Sequence, residues 1–207
     1  MAQMGRPRSF DREEAIHQAM HLFWEHGYDA TSLTQLKAGI GGGITAPSFY
    51  AAFGSKEGLF KEVVTHYLAT HGQVESSLWD ERLPPREAVE LTLRRSAKMQ
   101  SERGHPKGCL MVVSAAGCSG EHLQVQKMLA QARTRTRDGI ASCVERAKAS
   151  GELPSETDAR ALSMVFGGFL VGLTTLARDG MTSVALNNAV TEIMQVWDAG
   201  VHKAKAH

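Results

Sequence analysis

Apolar residues in this chain recur at three- and four-residue intervals almost throughout, and nothing longer than a few residues alternates apolar with polar. A sheet needs that alternation, so the pattern predicts an all-α fold. The first helix is expected to begin at Asp11, a capping carboxylate, with Glu14 as its capping-box partner. Ile16, Ala19, Met20 and Phe23 share a face of it, and Gly27 ends it. A second helix is expected from Thr31 or Ser32, with Leu33 and Leu36 on one face, failing in the glycine-rich stretch 39–43. A third, short helix starts at Thr45 with Pro47 in its first turn, where the missing N–H leaves no bond unmade. It carries Phe49, Tyr50 and Phe53 and stops at Gly54; Ser55 then caps a helix running through Leu59, Val63 and Leu68.

Prolines break the stretch 79–85, and the remaining helices are expected at about 86–103, 109–116, 121–149, 156–178 and 183–201. No internal repeat or low-complexity tract interrupts them. The chain's 207 residues suit a small head, expected over 1–68, and a larger helical body, expected over 69–207.

Net charge is only +1, so a nucleic-acid site has to be a local patch rather than a basic coat. No uninterrupted run of about 18 apolar residues is present, and no membrane span is expected. The apolar stretch 161–176 contains Ser163 and paired threonines between Arg160 and Arg178, which suits a core or interface helix. The first ten residues lack the apolar region of a secretory signal. Cys109, Cys118 and Cys143 cannot all pair within one chain, so reduced thiols and a cytoplasmic location are expected. No nucleophile elbow, phosphate loop, zinc-protease motif or dinucleotide fingerprint occurs, so neither an enzyme nor a cofactor is expected.

A helix, a glycine turn and a second short helix form a helix-turn-helix signature. The first helix braces the second, which offers its N-terminal side chains to base edges in the major groove. Thr45, Ala46 and Ser48 suit an outward role and Phe49 and Phe53 an inward one, while Tyr50 can reach a phosphate. The wider context is more specific. Phe10-Asp11, Phe23, Gly27-Tyr28-Asp29-Ala30-Thr31-Ser32-Leu33 and Ser48-Phe49-Tyr50-Ala51-Ala52-Phe53-Gly54-Ser55-Lys56-Glu57-Gly58-Leu59-Phe60 match a family pattern in order and spacing. Over roughly residues 8–68 the chain resembles the head of TetR-family regulators.

That resemblance implies a sequence-specific DNA-binding regulator, by the family's commoner mode a repressor, whose partner is a double-stranded palindromic operator. It places Thr45, Ala46, Ser48 and Phe49 in or beside the major groove and Tyr50 and Lys56 on phosphates. Ser32 is a further candidate contact, and Arg6 and Arg8 resemble a basic minor-groove arm. Gly41-Gly42-Gly43 lengthens the usual turn and Pro47 stands where glycine is common, so the first motif helix is expected to end early or the turn to bulge.

Two heads on a symmetric dimer would match operator half-sites. The resemblance implies a homodimer through a bundle of the last two helices, with Phe166, Phe169, Leu170, Leu173, Ile193, Met194 and Trp197 as interface candidates. The body is expected to sense a small molecule or electrophile. Pro106-Lys107-Gly108-Cys109-Leu110 puts Cys109 at a helix start beside Lys107, both of which favour a thiolate, and the Gly-Cys-Leu element resembles one in electrophile-sensing members. Two alternatives stand beside this reading. One is a copper-responsive repressor of the same fold, with Cys118 and His122 as metal candidates at i, i+4. The other is a helical protein-interaction module without DNA binding.

Overall fold

A computed structural model describes residues 11–205. Arg6 and Arg8 lie outside that range. Nine α-helices follow one another among the described residues: α1 (Arg12–His26), α2 (Leu33–Gly39), α3 (Ala46–Phe53), α4 (Lys56–Ala69), α5 (Pro85–Ser101), α6 (Leu110–Ala116), α7 (Leu123–Ala149), α8 (Ala159–Arg178) and α9 (Ser183–Lys205). A 3-10 helix, His71–Trp79, joins α4 to α5.

The caps explain the boundaries. Asp11 accepts from the backbone N–H groups of Glu13 and Glu14 at 3.1 Å each. The Glu14 carboxylate, expected to reach back to the cap, instead accepts from Gln18 Nε2 one turn on. Ser32 and Gln35 complete a reciprocal box at the start of α2. Asp158 caps α8 by accepting from the Ala161 N–H, three residues later than the expected start near 156 implies. The 3-10 stretch was not foreseen. Its serines are poor helix formers, and docking decides the conformation: Ser77 Oγ donates to Ala88 O or shares its proton with Thr92 Oγ1, both on α5, at 3.0 and 2.7 Å.

Two buried clusters organise the protein. The first contains Phe23 and Trp24 of α1, Phe49 of α3 and Phe60 and Tyr67 of α4, and extends to Leu110 and Met111 of α6 and Val125 and Leu129 of α7. The head is therefore roofed by the body rather than closed on itself. The second joins α5, α7, α8 and α9 through Leu93, Ile140, Val144, Phe166, Leu173, Val190, Met194 and Trp197. Each large side chain so buried contributes roughly 1.5–3 kcal/mol.

This corrects four interface candidates. Phe166, Leu173, Met194 and Trp197 are almost fully buried inside the protomer, and the Trp197 indole donates to Glu152 at 2.9 Å. Phe169, Leu170 and Ile193 are half-buried against the same cluster. The most apolar stripe of each helix went to the core because, among the described residues, the body is built of helices alone. A second apolar stripe faces outward: Met164, Val165, Val171 and Leu176 on α8, and Val184 and Val196 on α9. On α8 it includes Gly168 and Gly172, above which nothing in the protomer lies within 4 Å. Two-sided apolarity makes α8 long and apolar enough to cross a membrane by length and composition. Its Ser163, Phe166, Leu173, Thr174 and Ala177 face is packed inside the protein.

Candidate functional site

The turn between α2 and α3 holds three successive glycines with positive φ, Gly41 at 60°, Gly42 at 72° and Gly43 at 94°. Side-chain-bearing residues rarely adopt that conformation, so the glycine run sets this turn's shape. α2 stops at Gly39, as the longer turn implies, and the Ile44 N–H returns to Lys37 O at 2.8 Å. Gln18 of α1 accepts from the Gly41 N–H and ties the turn to the head.

Thr45 then caps α3. Its Oγ1 accepts from the Ser48 N–H at 3.3 Å and lies 2.9 Å from Ser48 Oγ. Pro47, Ser48, Tyr50 and Ala51 face solvent, Thr45 is exposed and Ala46 is half-buried. Phe49 is fully buried in the cluster that also holds residues of α1 and α4, which corrects its placement beside the groove: it is the anchor under the exposed face. Phe53 packs with it at 5.6 Å between ring centroids. Tyr50, half exposed, stands edge-on to Phe49 with its hydroxyl end free to reach outward.

Ser55 caps α4 by accepting from the Gly58 N–H at 2.9 Å. Lys56, expected on a phosphate, sits with its ammonium 4.4 Å from the Tyr28 ring and 3.4 Å from Asp29 O. Burial lowers its pKa while Asp29 and Cys118 act against that shift. Ser32 is exposed but occupied in the α2 capping box.

In the body, Cys109 is the N-cap residue of α6 and half-buried. Lys107 does not accompany the sulfur: its ammonium donates to the Ser101 and Glu102 carbonyls. The sulfur's partner is Tyr67 of α4, whose hydroxyl donates to Cys109 Sγ at 3.4 Å. Burial, with Cys109 next, pushes the Tyr67 pKa well up, so the phenol keeps its proton. Both side chains line a cavity of about 100 Å³ bounded by α4, the 3-10 helix, α5, α6, α7 and α8. It is smaller than the roughly 150 Å³ void that admits benzene. Its walls are mainly apolar, with Glu75, Gln100 and Arg133 among the polar groups.

Cys118 and His122 do not share a helix face. Cys118 follows the end of α6, and His122 precedes α7 with its Nε2 3.6 Å from Asp29 Oδ1. Among the described residues no three His, Cys, Asp or Glu side chains are grouped to hold a metal ion.

A short outward-facing helix on aromatic anchors, carried by a helical body, fits one architecture, and comparison with known proteins bears it out. Residues 15–63 match the family described as "Bacterial regulatory proteins, tetR family", and residues 87–193 match "Tetracyclin repressor-like, C-terminal domain". The chain belongs to the TetR family. It is a DNA-binding transcriptional regulator, and the helix-turn-helix is α2–α3. The HTH-type transcriptional repressor ComR of Escherichia coli is 29% identical over 197 residues, 93% of this chain and 91% of that protein. The TetR family regulator CifR, in a cysteine variant complexed with 26-bp double-strand operator DNA, superposes with a TM-score of 0.84 at 35% identity, covering 93% of this chain and all of that one. Escherichia coli NemR in its reduced form, at 19% identity and a TM-score of 0.68, shares the TetR-type fold.

Sequence reasoning missed Trp24 and Tyr67. Trp24 follows Phe23 directly, and two adjacent aromatics cannot lie on one helical stripe. That adjacency was the available signal that the end of α1 is buried on two sides, once by the head and once by the body.

Proposed function

We propose that this TetR-family chain is a cytoplasmic homodimeric repressor, with a DNA-reading head up to residue 68 and a regulatory body from residue 69. The observation that carries the reading is the division of α3: Phe49 and Phe53 hold it from beneath, while Thr45, Ser48 and Tyr50 remain outside. Ser48 and Thr45, with Ala46 beside them, meet base edges. Tyr50 and the backbone N–H groups at the start of α4 meet phosphates, and Ser32, Arg6 and Arg8 supply further contacts to the same duplex. Lys56 reaches a phosphate only by leaving the Tyr28 ring. Thr45 combines reading with capping, so Ser48 bears more of the sequence preference.

The dimer forms through the outward stripes of α8 and α9, where Gly168 and Gly172 allow a second copy close approach between Val165 and Leu176. Release follows a change in the body cavity. Cys109, with Tyr67 as hydrogen-bond donor, is placed to meet a small electrophile or to touch a small inducer. Filling a cavity this small shifts α6 and α4, and only a ligand that favours the shifted state over the operator-bound state lowers operator affinity.

The test is selection of bound duplexes from a random DNA pool, before and after thiol alkylation. The expected result is a palindromic site enriched by the untreated protein and lost from the treated one. Enrichment of no sequence would overturn the operator reading. Equal enrichment before and after alkylation of Cys109 would overturn the sensor.

A further inference from the structure

Within the cluster shared by head and body, one buried side chain joins α1 to the turn before Cys109. Trp24, on the last turn of α1, has no exposed surface, and its indole N–H donates to Gly108 O at 2.9 Å. Gly108 immediately precedes Cys109. The same indole lies edge-on to the Tyr67 ring at 5.0 Å, and Tyr67 is the donor to the Cys109 sulfur. Trp24 therefore touches the sulfur's surroundings twice, through the backbone before it and through its side-chain partner.

The turn that Trp24 grips has little freedom. Gly108 has a φ of +85°, and a Cβ there would lie 2.7 Å from Thr174 Cγ2 on α8. Its own N–H donates to Gln100 O at 2.9 Å. His105, three residues back, stacks on the other side of the indole at 4.4 Å with an interplanar angle of 13°. Arg178 closes the joint from α8, donating to Lys107 O at 3.5 Å and to Glu25 O of α1 at 3.1 Å. A turn fixed by α5 and α8 and hydrogen-bonded to α1 moves as a unit with whatever displaces its end.

We infer that Trp24 is a positioning residue through which a change at Cys109 reaches the DNA-binding head. This deepens the sensor proposed above and rests on it. An adduct on Cys109 that occupies the cavity beside it presses on the start of α6, and Gly108, one residue before the sulfur, moves with it. The indole N–H then either follows Gly108 O, turning α1 and the helix-turn-helix braced on it, or is left buried without an acceptor, which is unfavourable. Either outcome disfavours the operator-bound arrangement. The route runs beside α4, whose Tyr67 engages the sulfur directly, and it acts on the helix that holds the α2–α3 turn through Gln18.

The experiment replaces Trp24 with benzothienylalanine, which keeps ring size and removes only the N–H donor. The background is Cys118→Ser, and Cys143 is sealed in the core. N-ethylmaleimide is the probe: the Cys109 thiolate adds to the ring C=C, a C–S bond forms as the π pair moves to the neighbouring carbon, and that carbon takes a proton from water. Mass spectrometry confirms one adduct. Affinity for the duplex selected by the parent protein is read by fluorescence anisotropy, with and without the adduct.

The parent should lose about tenfold or more on alkylation, within the usual range of coupling between sites. The benzothienyl protein should lose less than about threefold while its unmodified affinity stays near the parent's and its thermal midpoint falls by a few degrees, because Gly108 O loses its donor. A purely structural Trp24 would shift the midpoint and leave the ratio of the two affinities unchanged, which overturns the inference. If the parent itself shows no loss on alkylation, the sensor proposal fails, and this inference fails with it for that separate reason. Trp24→Phe gives the same readout if the benzothienyl chain does not fold.

Discussion

α3 and α8 solve the same problem in opposite ways. Each buries one face and leaves another outside, yet the outer face of α3 carries the hydroxyls of Ser48 and Tyr50 beside Pro47 and Ala51, while that of α8 is apolar. A polar outer face stays comfortable in water and can exchange it for phosphates and base edges, whose contacts are wet and charged. An apolar outer face with glycines gains nothing from DNA and gains most from a like surface of equal shape. The difference assigns the two partners: nucleic acid to the head, a second copy of the chain to the body. It also separates what each helix does for stability. Eight residues of α3 depend on two phenylalanines, whereas the 20 residues of α8 are seated in the body core along their length.

The contrast breaks first at Phe49. Phe49→Ala opens a void beneath α3 and is expected to lower head stability by about 3–5 kcal/mol. Urea unfolding followed by circular dichroism measures it. A loss under about 1 kcal/mol would mean that α3 is held by its turn and caps rather than by its aromatics.

The body's counterpart acts on assembly instead of folding. Val165→Glu combined with Leu176→Glu puts charge on the outer stripe of α8 and leaves the buried face intact. Sedimentation should show monomers that fold normally, and affinity for the selected duplex should fall by about a hundredfold because one head grips a single half-site. Dimers that persist with both glutamates present would remove the α8 stripe from the interface.

On the head's outer face smaller effects are expected, and they differ in kind. Tyr50→Ala should weaken binding to all duplexes about tenfold and leave the salt dependence nearly unchanged, because a neutral hydroxyl on a phosphate releases no counterion. Ser48→Ala should change the ranking of duplexes while nonspecific affinity stays level. Competition titrations at two salt concentrations separate the two. If Tyr50→Ala changes preference rather than strength, the tyrosine reads a base.

Much of this division was legible in the sequence, because it depends on local chemistry. Helix periods, the Ser32 and Thr45 caps, Pro47 in a first turn and the glycine run are all local, and each fell where the residues put it. Which apolar face of α8 or α9 turns inward is not local. Phe166 and Val165 are adjacent and equally apolar, and only the arrangement of α5, α7 and α9 decides that the first is core and the second is outside. The same limit hid Tyr67, which lies 42 residues from the sulfur it partners, and it made Lys107 look like that partner because it is two residues away. The 3-10 helix escaped for a related reason, since its conformation follows from docking on α5.

The gentlest test concerns how α9 is seated. α3 is held from beneath by apolar rings, but α9 is also clasped by charge: Arg86 of α5 donates to both Asp198 oxygens at 2.6 and 2.9 Å and to Glu90 at 2.5 Å. The Arg86 hydrogen bond holds the Asp198 carboxyl below its ordinary value against the opposing pull of burial. For Glu90, burial pushes upward, but the hydrogen bonds from Arg94 and Arg86 outweigh it and the net shift is down. Carboxyls lowered in the folded state add stability that is complete above their unfolded values and fades as pH falls through the folded ones. Asp198 is 43% exposed, so solvent screening keeps the contribution small. Asp198→Asn should lower the thermal midpoint by roughly 2 °C at neutral pH, and the deficit should close in acid beneath the lowered Asp198 value, where the parent has lost the same charge. Calorimetry at the two pH values reads it, and a deficit that persists unchanged in acid would show that packing, not charge, seats α9.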